Sequence, residues 1–467
     1  MTQRNQPRGG FPLSGFTVPI LTALLTWGAF AFAGVYSWAW QPLLVGAGLF
    51  GISGLMFGRR HSKGVELVLA LWALCVICIG VQLLPVSRSI LQATSPATMR
   101  LLSEYSLSFA AQTHHAVSVE PDLTTTTLIF VSVLLLFLAG LDRLLSSVLI
   151  ERLTKSILVI GVLLALVGIV QRASLQSPIY GFWHPEGGTL NAFGPFINRN
   201  HFAGWMVMSC GLGLGYFHAL LAEKQPVRTW HARLVWLGSR DGARVIMTTF
   251  ALGMMMLATT WSISRSGVAS LMVVIVGSML FGRPTGSRSS RMRFGTAMII
   301  SLVLFAALWR GLDVLADRFT TPDSLITRLA AWQDTWSIIR DFPLTGTGMN
   351  TYTVAALFYQ RGNEDSHLAE AHNDYLQLLS DGGLLVTIPV LFTIIAVIRV
   401  VRTRWTSLTP GVRIRAVQRG AALGLLGIAV QEMAEFSLQK PANALLFVTL
   451  LAIAMYEPGR SNSALQA

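Results

Sequence analysis

Three short polar constellations interrupt an otherwise apolar chain, and each carries residue types able to do chemistry. The first is Asn198-Arg199-Asn200-His201, the second Ser262-Ile263-Ser264-Arg265-Ser266-Gly267, and the third His372-Asn373-Asp374-Tyr375. His372 lies near the end of the longest polar segment, just before a long apolar run. Histidine is the side chain best placed to lose and regain a proton near neutral pH, so His372 is a candidate general base. The plainer alternative is a helix-start histidine making a structural hydrogen bond. Arg199 is packed between two Asn and a His, and Arg265 sits in a turn with Ser264, Ser266 and Gly267. Guanidinium forks match phosphate oxygens bidentately, and such a turn also offers backbone N–H groups to an anion. An arginine at a membrane boundary ordinarily snorkels to anchor a helix end, yet the turn around Arg265 is too short to need an anchor. Taken together, the two arginines describe a site for a polyanionic group at a bilayer surface.

Other candidates are weaker. Glu432 and Glu435 fall near the outer end of a late apolar run. Carboxylates in such places normally pair and face the bundle interior, so they read as counter-ions to the arginines, or else as part of an acceptor pocket. Arg328 and Arg340 lie on an amphipathic stretch, where they either touch a substrate or are solvated. Cys75 and Cys78 have CxxC spacing but no second pair or nearby His, and read as small buried residues. The remaining histidines show no metal spacing, and no HExxH, Walker or GxGxxG pattern appears in a credible context. No metal site is expected.

The elements that must position these residues follow from composition. The 467 residues are 53% hydrophobic and only 12% charged, against roughly 25% charged in soluble domains, which excludes a soluble globular protein. Apolar runs of about 17–25 residues, each long enough to cross a bilayer as a helix, recur throughout. The expected fold is therefore all-α, a polytopic integral membrane protein of about twelve transmembrane helices. The expected spans are Phe16–Gly34, Trp38–Phe57, Val65–Leu84, Thr124–Leu141, Ser156–Val170 and His201–Leu221, then Val245–Trp261, Gly267–Phe281, Gly295–Leu312, Leu384–Val401, Ala421–Phe436 and Pro441–Met455. The first resembles a signal peptide, but its apolar stretch exceeds the usual 7–15-residue core and reads as a retained span.

Charge sets the orientation. The formal net charge of +13 is spread over short loops rather than one soluble face, which argues against a nucleic-acid partner. Every even-numbered exit is basic, from Arg59 and Arg60 after span two to Arg413 and Arg415 after span ten. Those loops and both termini are thus expected to be cytoplasmic, and all three constellations fall on the opposite face. The chain divides into residues 1–309 (spans one to nine), a loop domain at 310–382, and residues 383–467 (spans ten to twelve and a tail). The loop is too long to be a mere connector. Within it Thr321 can cap a helix with Pro322 at its first position, and Leu325, Leu329, Trp332, Trp336 and Ile339 repeat at helical spacing. That apolar face either lies on the membrane surface or packs on the bundle.

Several of these motifs resemble the signature segments of the O-antigen ligase and polymerase superfamily, with the O-antigen ligase family favoured. They are Asn198 to Gly204, Ser264-Arg265-Ser266-Gly267, Arg328 followed by Trp332, Pro343 to Asn350, and His372 to Leu376. The similarity runs from about Gln171 onward; the N-terminal third matches only in hydropathy. The resemblance implies a GT-C-like glycosyltransferase of the Gram-negative inner membrane, with its active site facing the periplasm. It implies transfer of a glycan from undecaprenyl pyrophosphate to lipid A-core, with no cofactor, metal or nucleic acid. His372 would be the catalytic base, and Arg199, Arg265 and Arg328 the pyrophosphate ligands. Asn198, Asn200, His201, Asn373, Asp374 and Glu435 would support them. An O-antigen polymerase uses similar residues, whereas an O-linked oligosaccharyltransferase is commonly longer, with extra C-terminal sequence. The order of the motifs and the large loop before His372 favour the ligase. A carrier of lipid-linked glycan is the alternative of another class, but it should place its polar residues near the midplane with repeat symmetry, whereas here they gather at one surface.

Overall fold

The computed structural model describes residues 15–58, 62–173, 178–185, 191–222, 231, 235, 236, 238–281, 323–361, 369–406 and 411–457. Within these the chain is almost wholly α-helical. In order come α1 (Thr17–Phe30), α2 (Ser37–Phe57), α3 (Val65–Val81), two short helices α4 (Arg88–Thr94) and α5 (Pro96–Tyr105), then α6 (Pro121–Leu144), α7 (Ser147–Ala173), α8 (Arg199–Ala222), α9 (Arg240–Trp261) and α10 (Arg265–Phe281). After these come α11 (Asp323–Asp341), α12 (Tyr352–Tyr359), α13 (Asp374–Thr406), α14 (Val412–Gln431) and α15 (Pro441–Met455). Six of them, α2, α6, α7, α8, α9 and α13, are long and apolar enough to cross a membrane, and α1, α3, α10 and α15 are shorter apolar helices. The all-α polytopic fold read from hydropathy is the fold observed. Eleven of the expected spans coincide with helices, and Gly295–Leu312 lies outside the described residues, as do Thr321 and Pro322.

Helix α8 is the axis. Every residue from His201 to Leu220 is buried, which is what a helix without a polar face requires. It packs along α14 through a seam of Gly211 and Gly215 against Gly420 and Gly424, where a Cβ on any of the four would run into partner backbone. Apolar solvent gives helices little reason to associate, so close backbone approach between small residues supplies the contact instead. A second such seam joins Gly51 and Gly54 of α2 to Gly140 of α6.

Helix α13 is broken near its start. Gly383 has φ +56° and ψ −164°, a conformation essentially reserved for glycine. The cause is the loop Pro343 to Asn350, whose backbone enters the helix ladder. Pro343 and Leu344 carbonyls accept from the N–H groups of Leu384 and Leu385 at 3.0 and 2.9 Å, while Thr347 and Gly348 N–H groups donate to Ser380 and Asp381 carbonyls at 2.9 and 3.0 Å. Gln82, at the end of α3, fastens the same loop, donating to the carbonyls of Thr345 (2.7 Å) and Asp381 (2.9 Å) and accepting from Met349 N–H (3.1 Å).

The long polar segments fold into a layer over one end of the bundle. Residues 85–123 form α4, α5 and a two-stranded antiparallel ribbon pairing β1 (Pro85–Ser87) with β2 (His114–Ala116), Val86 opposite His115. A small core of its own joins Ala97 and Leu101 of α5 to Ile338 and Phe342, Tyr352 and Ala355 of α12, and Ala371. Helix α11 docks by Ala331, Thr335 and Ile338, with the Thr335 hydroxyl 3.0 Å from that of Tyr352. Of the expected apolar face, Ile339 is buried while Leu329 and Trp336 are left 46% and 48% exposed, so that face is only partly packed on the bundle. Span eleven also ends early. Helix α14 stops at Gln431 because the Glu432 and Glu435 carbonyls turn to accept the Asp374 N–H, at 3.1 and 3.2 Å. The two glutamates thus occupy a turn rather than a helix end.

Candidate active site

Glu435 is the point on which the separate segments converge. Its carboxylate is wholly buried. Oε1 accepts from Arg328 Nη2, from Asn200 Nδ2 at 2.7 Å and from the Ser266 hydroxyl at 3.4 Å. Oε2 faces the third constellation, 3.9 Å from His372 Nδ1. All three polar constellations and Arg328 therefore meet at one carboxylate. A buried anion needs such company, since an uncompensated charge would cost several kcal/mol.

Each constellation is held by a helix start. Asn198 Oδ1 accepts the Asn200 N–H (2.9 Å), Ser264 Oγ accepts the Gly267 N–H (3.2 Å), and Asn373 Oδ1 accepts the Tyr375 and Leu376 N–H groups (both 3.1 Å). These side chains cap α8, α10 and α13, the ordinary work of Asn and Ser at an N-terminus. Gly267 allows α10 to close on Ala203 of α8, and Gly204 sits against Ser437. Three helix N-termini, each with a partial positive charge, thereby surround Glu435. Arg199 and Arg265 are the first residues of α8 and α10, both partly buried, and the Arg199 N–H donates to the Asn191 carbonyl at 2.6 Å.

His372 immediately precedes the cap of α13, with φ +51°. Its neighbours are pinned on both sides. The Ala371 carbonyl accepts from Trp332 Nε1 (3.1 Å), the Ala371 N–H donates to Gln377 Oε1 (3.1 Å), and the Asp374 N–H is held as described above. A left-handed residue costs about 1 kcal/mol and persists where the surroundings determine it. The His372 ring also meets the edge or face of Phe436 (centroids 5.1 Å, 73°), and His201 packs on the same ring (4.7 Å, 81°). Lys440 Nζ lies over Phe436 at 4.8 Å. His201 thus belongs to the wall, with its carbonyl accepting from Asn443 Nδ2 at 3.0 Å.

Asp374 turns away from this cluster, its Oδ1 accepting from Gln439 Nε2 at 2.8 Å. Beside it, burial and then the Asp374 carboxylate hold the Glu432 carboxyl well above the usual range, although Glu432 Oε2 accepts the Ser437 N–H at 2.7 Å. Among the described residues no group of three His, Cys, Asp or Glu side chains is placed to hold a metal. Arg340 is exposed and its neighbour Asp341 pairs instead with Arg100 at 2.8 Å. Phe436, Gln377 and Lys440 carry no motif, so the sequence alone does not mark them; only their contacts do.

A carboxylate facing an imidazole at 3.9 Å, among cations and helix N-termini at one end of a membrane bundle, is an arrangement able to remove a proton next to a polyanion. Residues 250–391 match a family model described as O-antigen ligase. The O-antigen ligase match takes in Ser264 to Gly267, Arg328, the loop Pro343 to Asn350 and His372 to Asp374, while Asn200 and Glu435 lie outside it. It supports the O-antigen ligase superfamily for this segment, and with it a ligase- or polymerase-type role in glycan assembly by a multi-pass membrane protein. No curated protein matches the chain.

Proposed function

We propose that the protein is an O-antigen ligase of the Gram-negative inner membrane, transferring a glycan from undecaprenyl pyrophosphate to a sugar hydroxyl of lipid A-core in lipopolysaccharide biosynthesis. The single observation that carries this reading is the meeting of Asn200, Ser266, Arg328 and His372 at Glu435. The basic loops at the opposite ends of the helices favour a periplasmic position for this end and for the layer that includes α11 and α12.

The chemistry follows from the geometry. With Nδ1–H directed at Glu435, the His372 lone pair is on Nε2, free to take a proton. The acceptor oxygen attacks the anomeric carbon as its proton passes to Nε2. The bond from that carbon to the phosphate oxygen breaks, and undecaprenyl pyrophosphate leaves with the electron pair. Its charge is met by Arg199 and Arg265, backed by Arg328 and by the N-termini of α8 and α10. The pyrophosphate needs neither a proton donor nor a metal. A single displacement inverts the anomeric centre, with no covalent glycosyl-enzyme. Glu435, already bound at Oε1, then stabilises the imidazolium through Oε2.

The test is transfer by purified protein from undecaprenyl-pyrophosphate-linked glycan to lipid A-core in the presence of chelator. Wild type is expected to transfer and His372→Ala to fail. Equal transfer by both would remove His372 from the mechanism, and lengthening of the lipid-linked glycan would make the enzyme a polymerase.

A further inference from the structure

A cavity of about 550 Å³ opens beside the candidate site, on the far side of the first turn of α13. Its volume lies within the roughly 300–1,000 Å³ of small-molecule sites. Glu370 and Asp374, which bracket His372 in sequence, both line it, and so does Lys440, whose ammonium lies over the Phe436 ring that packs on His372. His372 itself does not line the cavity; the chain on both sides of it does, two residues away in each direction.

Its walls differ in kind from the surroundings of Glu435. None of Arg199, Arg265 and Arg328 lines it. Three carboxyl groups, Glu370, Asp374 and Asp381, face one lysine, and that lysine already lies 3.8 Å from Glu370. With its lysine already matched by Glu370 and no arginine among the residues lining it, the cavity offers little to an anionic phosphate. The Gln377 amide is engaged by Glu370 (2.7 Å) and by the Ala371 N–H (3.1 Å), Asn350 stands among the acids, and Trp40 and Phe130 add aromatic surface. Carboxylates and amides accept from hydroxyl groups in several directions, and an aromatic ring offers a flat apolar face to the C–H face of a sugar. Much of the rest of the lining is apolar, with Val35, Leu44, Val131 and Leu378, so it suits an uncharged ring that carries hydroxyls on one edge and a C–H face on the other.

We infer that this cavity is the acceptor subsite, taking the terminal uncharged sugar of the acceptor glycan and presenting one of its hydroxyls to His372. The inference rests on the reading of His372 as the base. The site is then divided by charge. The pyrophosphate lies among arginines and helix N-termini, the acceptor sugar lies among carboxyls and aromatics, and the α13 start carrying His372 lies between them.

The experiment uses full-length protein in detergent, with delipidated core oligosaccharide and undecaprenyl-pyrophosphate-linked glycan as separate probes. Trp40→Ala removes the stacking face, and Thr127→Trp fills the cavity from α6, where the Thr127 hydroxyl only back-bonds to the Leu123 carbonyl (3.1 Å). Both variants should bind the oligosaccharide at least about tenfold more weakly while binding the lipid-linked donor as wild type does, which also reports their folding. In a third variant, Thr127→Cys, the oligosaccharide should slow maleimide labelling about tenfold, against native Cys75, Cys78 and Cys210, which are buried. Unchanged oligosaccharide binding by the variants, loss of donor binding instead, or no protection of Thr127→Cys would each overturn the inference. Weakened oligosaccharide binding in a protein that transfers no glycan would instead keep the subsite and overturn the proposed reaction.

Discussion

His372 Nδ1 lies 3.9 Å from Glu435 Oε2, and neither atom has another hydrogen-bond partner among the described residues. The separation is roughly 1 Å beyond a hydrogen bond, the looseness expected before substrate closes a catalytic site. Because Oε1 is already taken by three donors, Glu435 cannot rotate away. Glu435→Gln keeps the shape and removes the carboxylate that faces the imidazole. It should lower kcat about 10²-fold with little change in acceptor KM, measured by steady-state transfer assays. An unchanged kcat would reduce Glu435 to a packing role.

The Arg328–Glu435 pair has a wholly buried carboxylate and an arginine side chain 23% exposed. Arg328→Ala leaves that carboxylate with two weaker donors and should cost about 3 kcal/mol of stability. In Arg328→Ala with Glu435→Gln, most of that loss should return, while activity should not. Thermal melting of the two single variants and the double variant would show the coupling; additive losses would deny it.

Arg199 and Arg265 open two helices whose N-termini face the same point. Replacing either by Ala should raise the donor KM about 10²-fold, and Lys should restore only part, because a point charge does not reproduce a bidentate fork. Full rescue by Lys would mean that charge alone suffices there.

Glu432 supplies a pH dependence of known sign. Its folded pKa is raised by burial and by Asp374, so between the ordinary value near ~4.3 and the raised one the folded state binds more protons than the unfolded chain. Stability from this group is fully present below that window and is lost as pH rises through it. Melting temperature should therefore fall with rising pH above about pH 5, and Glu432→Gln should flatten that fall. A slope unaffected by the substitution would place the titration elsewhere.

Gly383 combines φ +56° with backbone of Leu344 and Gly346 at its α-carbon. Gly383→Ala should cost at least about 3 kcal/mol from strain and clash. It should also displace the Pro343 to Asn350 loop, detected as faster proteolysis between α11 and α13. A variant with wild-type proteolysis would show that the loop does not depend on the break.

Much of the fold was legible because hydropathy is a local property; each span announces itself within its own twenty or so residues. The three constellations were legible for the same reason, as polar clusters at the ends of apolar runs. What brings them together was not. Glu435 stands 107 residues from Arg328, 169 from Ser266 and 235 from Asn200, and no periodicity encodes such distances. Phe436 looked like the tail of an apolar run, yet it carries both His201 and His372 on its ring. The partial packing of α11 was hidden for a related reason. Thr335 and Asp334 are buried by hydrogen-bonding partners from other segments, which outweigh the exposed Leu329 and Trp336.

The position of Glu435 also bears on the order in which the chain is made. Asn200, Ser266, Arg328 and His372 all leave the ribosome before it does. Until the turn after α14 is synthesised, Asn200, Ser266, Arg328 and His372 lack the carboxylate at which they meet. The polar cluster is thus completed by one of the last segments to be made, although four of its five members come from earlier parts of the chain.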